Sequence, residues 1–264
     1  MTPTPSRVHH RVEGAIGWIV FDNPTRHNAM SVAMWEGLPA AVDALEADPA
    51  VRVVVLRGAG DAAFVSGADI SQFDAVRDSV EANERYEAIG DAGMARVAAC
   101  SKPTIAMLQG WCIGGGVAIA LQCDLRIADA SMRFAIPAAR LGLGYRWRGV
   151  KRLIDTVGAA NAREIFLTAR RYDAQDALRM GFVCRVVERG ALEAAVRAEC
   201  DTIAANAPIT MASIKTIVDE LTRGAPHLDI ARMEAATQRP FASEDYAEGR
   251  RAFMEKRRPE FRGR

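Results

Sequence analysis

Phe64-Val65-Ser66-Gly67-Ala68-Asp69-Ile70 and Gly110-Trp111-Cys112-Ile113-Gly114-Gly115-Gly116 each stand where an apolar, β-like run gives way to a helix-like pattern. The start of a helix leaves backbone N–H groups unpaired and carries partial positive charge. Glycine lets a ligand oxygen come close to such groups. Two of these sites in one domain are able to grip a single developing oxyanion from two sides, the usual way to stabilise an enolate or a tetrahedral intermediate.

Around these segments the chain reads as α/β. Thr104 to Leu108 predicts a strand, residues 115–122 a helix, and Asp124 to Ala128 a second strand, with residues 51–65 resembling an earlier turn of the same design. Upstream, residues 8–21 predict a hairpin around Glu13-Gly14. Ser31 is placed to cap a helix carrying Met34, Trp35, Leu38, Ala41, Val42 and Leu45 at helical spacing. Val51 to Leu56 reads as a buried strand, and Asp69 with Gln72 as a capping pair. Residues 74–97 form a polar helix-like stretch that Lys102-Pro103 breaks. Beyond about residue 159 helical patterns dominate, apart from a short strand at Phe182 to Val187. The expected division is a core of residues 1–200 and a helical region of residues 201–264, with no Ser/Gly-rich linker between them.

Composition removes several function classes. A net charge of +1 recommends neither nucleic acid nor an anionic membrane as partner. The first 20 residues carry His9, His10, Arg11 and Glu13 and lack the apolar core of a secretion signal. No run approaches a membrane span, so a cytoplasmic protein is expected. Cys100, Cys112, Cys123, Cys184 and Cys200 are odd in number and unpaired by CxxC spacing, which argues against disulfides and zinc alike. His27 and His227 have no Ser/His/Asp arrangement around them, and there is no phosphate-binding P-loop.

The wording of the two glycine segments resembles the enoyl-CoA hydratase/isomerase (crotonase) family. The likeness extends from Ile19-Val20-Phe21-Asp22-Asn23-Pro24, with Arg26 and Asn28-Ala29-Met30, through Cys123-Asp124-Leu125-Arg126-Ile127-Ala128 and Leu141-Gly142. It ends at Phe253-Met254-Glu255-Lys256-Arg257-Arg258-Pro259, so it covers nearly the whole chain in the family's order. It implies a spiral of β-β-α turns with a helical C-terminal region that assembles trimers, often stacked as hexamers. It also implies an acyl-CoA substrate and no cofactor apart from that coenzyme A. By the same resemblance the backbone N–H groups of Ala68 and Gly115 are the oxyanion donors. Ser66, Gly67, Asp69, Ile70 and Gly114 surround them, and Arg26, Phe253 and Lys256 lie on the coenzyme side, the lysine sometimes reaching in from a neighbouring subunit. Seven basic side chains within residues 249–264 face only Glu255 and Glu260, which fits either a solvated helix end or that coenzyme contact.

Two departures bear on the reaction. Family hydratases carry glutamates at the positions matching Ala118 and Ala138, and alanine has no proton to give or take. Hydration needs general acid–base groups, and losing groups that act as a unit removes several orders of magnitude. Asp69 and Asp124 are the substitutes nearest in sequence. Decarboxylation of a malonyl-type thioester asks for less, because the departing CO₂ leaves its electrons in the thioester carbonyl and needs no base. Tyr145 matches a tyrosine lining the pocket in family members that act as methylmalonyl-CoA decarboxylases, although those keep a glutamate at the position of Ala118. Arg140, Arg146 and Arg148 surround Tyr145, and arginine holds carboxylates with paired hydrogen bonds. At least one of Arg146 and Arg148 is therefore expected to face the acyl pocket. The alternatives are a hydratase or isomerase with a different acid and base, and a silent acyl-CoA-binding protein.

Overall fold

The computed structural model describes residues 6–69, 79–224 and 227–264. The chain opens with an antiparallel hairpin of β1 (Arg7–Glu13) and β2 (Ile16–Asp22), in which Glu13 faces Ile16 across the turn. Helix α1 (Val32–Ala47) follows, and the Ser31 hydroxyl accepts the Met34 N–H at 3.2 Å as its cap. Three β-β-α turns come next. They are β3 (Val53–Gly58), β4 (Ala63–Val65) and α2 (Val80–Ala98); β5 (Thr104–Leu108), β6 (Trp111–Ile113) and α3 (Gly115–Ala120); and β7 (Leu125–Asp129), β8 (Arg133–Ala135) and α4 (Ala138–Leu141).

The first strand of each turn joins one sheet and the second joins another. A long helix α5 (Trp147–Thr168), bent at Gly158, leads to β9 (Tyr172–Asp173), α6 (Ala174–Arg179), β10 (Arg185–Val187) and α7 (Leu192–Ala204). The larger sheet has the order β1-β2-β3-β5-β7-β10 and the smaller β4-β6-β8-β9. All neighbours from β2 to β10 in the larger sheet, and β4-β6-β8 in the smaller, are parallel.

Period-two alternation explains why the central strands are apolar throughout. Val54, Leu56, Ala106 and Leu108 face the main core with α1, whereas Val53, Val55, Ile105 and Met107 face a second core sealed by Leu192, Val196 and Cys200 of α7. A parallel sheet covered on both sides needs no polar face. Four cysteines (Cys100, Cys112, Cys123 and Cys200) are buried and Cys184 is exposed.

Several boundaries differ from expectation for local reasons. The strand expected at 51–56 runs Val53–Gly58, because the Val51 N–H turns back to the Asp48 carbonyl at 3.1 Å. The strand expected at 182–187 shrinks to Arg185–Val187, because Phe182 and Val183 donate to the Ala177 carbonyl and close the end of α6. The helix expected at 115–122 stops at Ala120. Of the capping pair, Gln72 lies outside the described residues.

The C-terminal region consists of α8 (Pro208–Arg223), α9 (Ile230–Phe241) and α10 (Glu244–Met254). Fully buried Glu220 ties α8 to α9 by accepting from Arg232 at 2.6 Å. The basic end is folded back on acidic side chains: Arg257 donates to Glu248 at 2.6 Å, and the Asp245 carboxylate accepts the Arg262 and Gly263 N–H groups. Among the described residues no helix is long and apolar enough to cross a membrane.

Candidate active site

The first rim of the site is a braced loop. Asn23 and Asn28 are buried, and the Asn28 side chain spans three strands' worth of loop. Its amide donates to the Ala59 and Ala63 carbonyls at 2.9 and 2.8 Å, and its oxygen accepts the Asn23 N–H at 3.1 Å. Met30 then pairs with the residues flanking Ala68: its N–H donates to the Gly67 carbonyl at 2.8 Å, and its carbonyl accepts the Asp69 N–H at 2.9 Å. Bonds from both flanks turn the Ala68 N–H to the opposite side, since successive peptide groups of an extended chain point alternately. Gly67 makes the bend with φ +113°, a conformation a side chain rarely tolerates.

The second rim is the start of α3. Gly114 N–H donates to the Ala135 carbonyl at 2.9 Å, and the Gly114 carbonyl accepts the Ala118 N–H at 3.0 Å, which leaves Gly115 as the first helical residue. Its N–H has no partner within the helix. Among the described residues, neither the Ala68 nor the Gly115 nitrogen donates to a backbone carbonyl. A Cβ built on Gly115 would stand 3.9 Å from the Gly67 carbonyl carbon and 3.5 Å from the Trp35 ring. At Gly116 it would stand 2.2 Å from the Val65 carbonyl oxygen, so only glycine lets α3 approach β4 this closely. The two glycine segments thus meet at one cavity of about 1070 Å³.

That cavity collects most of the residues expected from the sequence. Ser66, Gly67, Ala68, Gly114 and Gly115 line its head, and Ala118, Ala138, Tyr145, Arg146 and Arg148 its walls. Tyr145 packs edge-on against Phe166 at 4.9 Å. Burial, and then the charge of Glu87, push its hydroxyl up to about 12, so it holds its proton at neutral pH. Arg146 donates to Asp91 at 2.9 Å and pairs with Glu87 at 3.9 Å, whereas Arg148 lies over the Trp147 ring at 5.4 Å.

Other expected residues lie elsewhere. Arg26 stands beside the first rim, paired with Asp69 at 3.5 Å, and its carbonyl accepts the Ser66 hydroxyl at 3.1 Å. Asp69 is buried beside Arg26, and Asp124 holds the Thr104 N–H at 2.7 Å and pairs with Lys215; neither is among the residues lining the cavity. Phe253 is 83% exposed and Lys256 has φ +55°, and neither lines the cavity of a single chain. Ile70 lies outside the described residues.

The sequence reading expected the helix that α2 forms but named none of its residues as part of the site. Glu87, Asp91 and Met94 recur at helical spacing and line the cavity, while Tyr86 accepts a hydrogen bond from the Trp35 ring nitrogen at 3.2 Å. The periodicity was visible, but nothing in it says that this half-polar stripe faces a pocket and not solvent. Among the described residues no group of His, Cys, Asp and Glu side chains is arranged to hold a metal.

Successive β-β-α turns feeding two sheets, with a helical C-terminal region, define a crotonase-type fold, and comparison with known proteins agrees. The profile of the enoyl-CoA hydratase/isomerase family matches residues 11–264, and the chain belongs to that family of enzymes acting on acyl-CoA. It is 31% identical to the short-chain-enoyl-CoA hydratase of Clostridium acetobutylicum, over 94% of each chain. It is 33% identical to the carnitinyl-CoA dehydratase of Proteus mirabilis, over 97% of this chain and 98% of that one. Among solved structures, an enoyl-CoA hydratase/carnithine racemase from Magnetospirillum magneticum superposes with a TM-score of 0.93 at 35% identity, covering 97% of this chain and 96% of that one.

Proposed function

We propose that this enzyme seats an acyl-CoA thioester with its carbonyl oxygen between the Ala68 and Gly115 N–H groups and stabilises the enolate that forms there. The observation that carries this reading is the meeting of two amide-bearing rims, unclaimed by backbone carbonyls, at the head of one cavity. Each such donor contributes about 10²–10³ in rate. With methyl groups at Ala118 and Ala138, a reaction independent of glutamates at those positions is favoured, and decarboxylation of a malonyl-type thioester needs no base at the bond-breaking step. Tyr145, protonated at neutral pH, is a proton source within the pocket, and Arg146 or Arg148 would read an acidic acyl group.

A second reading, hydration or isomerisation through a different acid and base, is favoured by the Glu87 and Asp91 carboxylates on the same wall. Arg26 and Lys256 would take the coenzyme phosphates, and residues 201–264, with Ile214, Val218 and Leu221 exposed, would assemble a trimer or hexamer in the cytoplasm. Incubation with enoyl-, 3-hydroxyacyl- and malonyl-type CoA thioesters separates the readings. Loss of CO₂ from malonyl-type substrates that falls in an Arg146→Ala, Arg148→Ala double variant supports the first. Crotonyl-CoA hydration at ordinary hydratase rates overturns it, and tight binding without turnover of any thioester identifies a silent binding protein.

A further inference from the structure

The missing carboxylates leave open how a proton reaches or leaves the substrate's α-carbon, and α2 answers from the same cavity. Its buried face packs on α1 through Gly90 and Gly93. A Cβ at either would lie 3.9 and 3.4 Å from the Trp35 indole, the same ring that stands 3.5 Å from the corresponding point at Gly115. One side chain therefore sets the spacing between α2 and the second oxyanion rim. Tyr86 locks this arrangement through its hydroxyl on the indole nitrogen.

Next to that buried face runs a stripe that lines the cavity: Glu87, Asp91, Met94 and Ala98, polar at one end and apolar at the other. Arg146, entering from the start of α5, draws the polar end together. It donates a hydrogen bond to Asp91 at 2.9 Å and forms a longer ion pair with Glu87 at 3.9 Å. Glu87 is half-buried, and its charge is felt by the Tyr145 hydroxyl. Asp91 thus serves as Arg146's anchor, and Glu87 is the carboxylate between that guanidinium, the tyrosine and the cavity.

We propose that Glu87 is a catalytic residue that moves the proton to and from the α-carbon of the bound thioester, in place of the carboxylates absent at Ala118 and Ala138. The inference rests on the enolate reading of the two amide rims. In the forward step a Glu87 carboxylate oxygen forms a bond to the α-hydrogen. The carbon–hydrogen pair becomes the carbon–carbon π bond of the enolate, and the carbonyl π pair moves onto the oxygen held by Ala68 and Gly115. The reverse step returns the proton from the neutral Glu87 to carbon. A decarboxylation removes no α-hydrogen, so there Glu87 first takes a proton from solvent and then delivers it to the enolate carbon once CO₂ has left; with that step the assignment serves either reaction.

The test is exchange of the α-hydrogens of butyryl-CoA in deuterated water, read by mass spectrometry, with affinity measured separately by calorimetry. Wild-type enzyme is expected to incorporate deuterium. Glu87→Gln is expected to bind butyryl-CoA unchanged and to exchange about 10²–10⁴-fold more slowly, the usual weight of a positioned acid–base group. In Glu87→Ala, added formate or acetate is expected to restore part of the exchange, a response that a merely structural ion pair with Arg146 would not give. Exchange persisting at the wild-type rate in Glu87→Gln overturns the role of Glu87 and leaves the enolate reading intact. A wild-type enzyme that binds butyryl-CoA and exchanges nothing overturns the enolate reading itself. Should Glu87→Gln fail to fold, the Glu87→Ala series decides alone, and absence of rescue counts against the assignment.

Discussion

The two walls of the cavity are built on opposite terms. The wall of glycine segments is backbone: the chain around Ala68 and Gly115 is held by hydrogen bonds of Met30 and Gly114 and by the asparagine brace, and its close approach is set by Gly116. The facing wall is side chain: Glu87, Asp91, Tyr145 and Arg146 reach in from α2 and the start of α5 and hold one another by charge. A backbone site tolerates few sequences, because main-chain contact demands glycine at fixed places. A side-chain site is rewritten by single substitutions. On the proposed function, the step of stabilising an oxygen would sit on the rigid wall and the step that distinguishes reactions on the exchangeable one.

The sharpest way to break this contrast is at Gly116. Gly116→Ala places a Cβ against the Val65 carbonyl, and overpacking of this kind costs about 3 kcal/mol. Urea unfolding is expected to show that loss, and α-hydrogen exchange to vanish, because α3 cannot back away without moving the Gly115 amide. An Ala118→Glu, Ala138→Glu pair instead adds side-chain chemistry on α3 and α4. It is expected to raise crotonyl-CoA hydration by on the order of 10²-fold, assayed by loss of enoyl absorbance; no gain would mean that the missing carboxylates are not what limits hydration.

At the brace, Asn28→Ala removes the side-chain donor to the half-buried Ala59 and the buried Ala63 carbonyls and places alanine at φ +57°. A stability loss of about 2 kcal/mol is expected by thermal unfolding. The smallest effect belongs to Tyr145. Its hydroxyl is ordinarily a group of pKa 10.0 and is pushed to about 12 in the fold, so the unfolded chain gives up its proton first. Stability should decline as pH climbs from 10.0 through about 12, and Tyr145→Phe should flatten that decline while changing nothing near neutrality. A difference in stability between the two proteins at pH 7 would contradict it.

The same contrast marks how far the sequence could be read. The hairpin at Gly14, the Ser31 cap and the run Thr104–Leu108 were legible because turn chemistry, capping and burial on both faces are local signals. The smaller sheet was not, since Ala63–Val65, Trp111–Ile113 and Arg133–Ala135 are too short to show a period. At the site, Ala68 and Gly115 could be named from spacing and resemblance. Glu87 could not, because its value lies in Trp35 and Arg146, remote in sequence and adjacent only after folding. Asp69 and Asp124, near the glycine segments in sequence, do not line the cavity: Asp69 is buried beside Arg26 and Asp124 anchors the Thr104 N–H.

Trp35 is 4% exposed, and its indole sits against Gly115 with its nitrogen engaged by Tyr86. A fluorophore so placed makes the enzyme its own optical sensor. A thioester settling beside Gly115 would alter the ring's surroundings directly, so occupancy of the pocket can be followed by emission from an unlabelled protein, even with a substrate that never turns over.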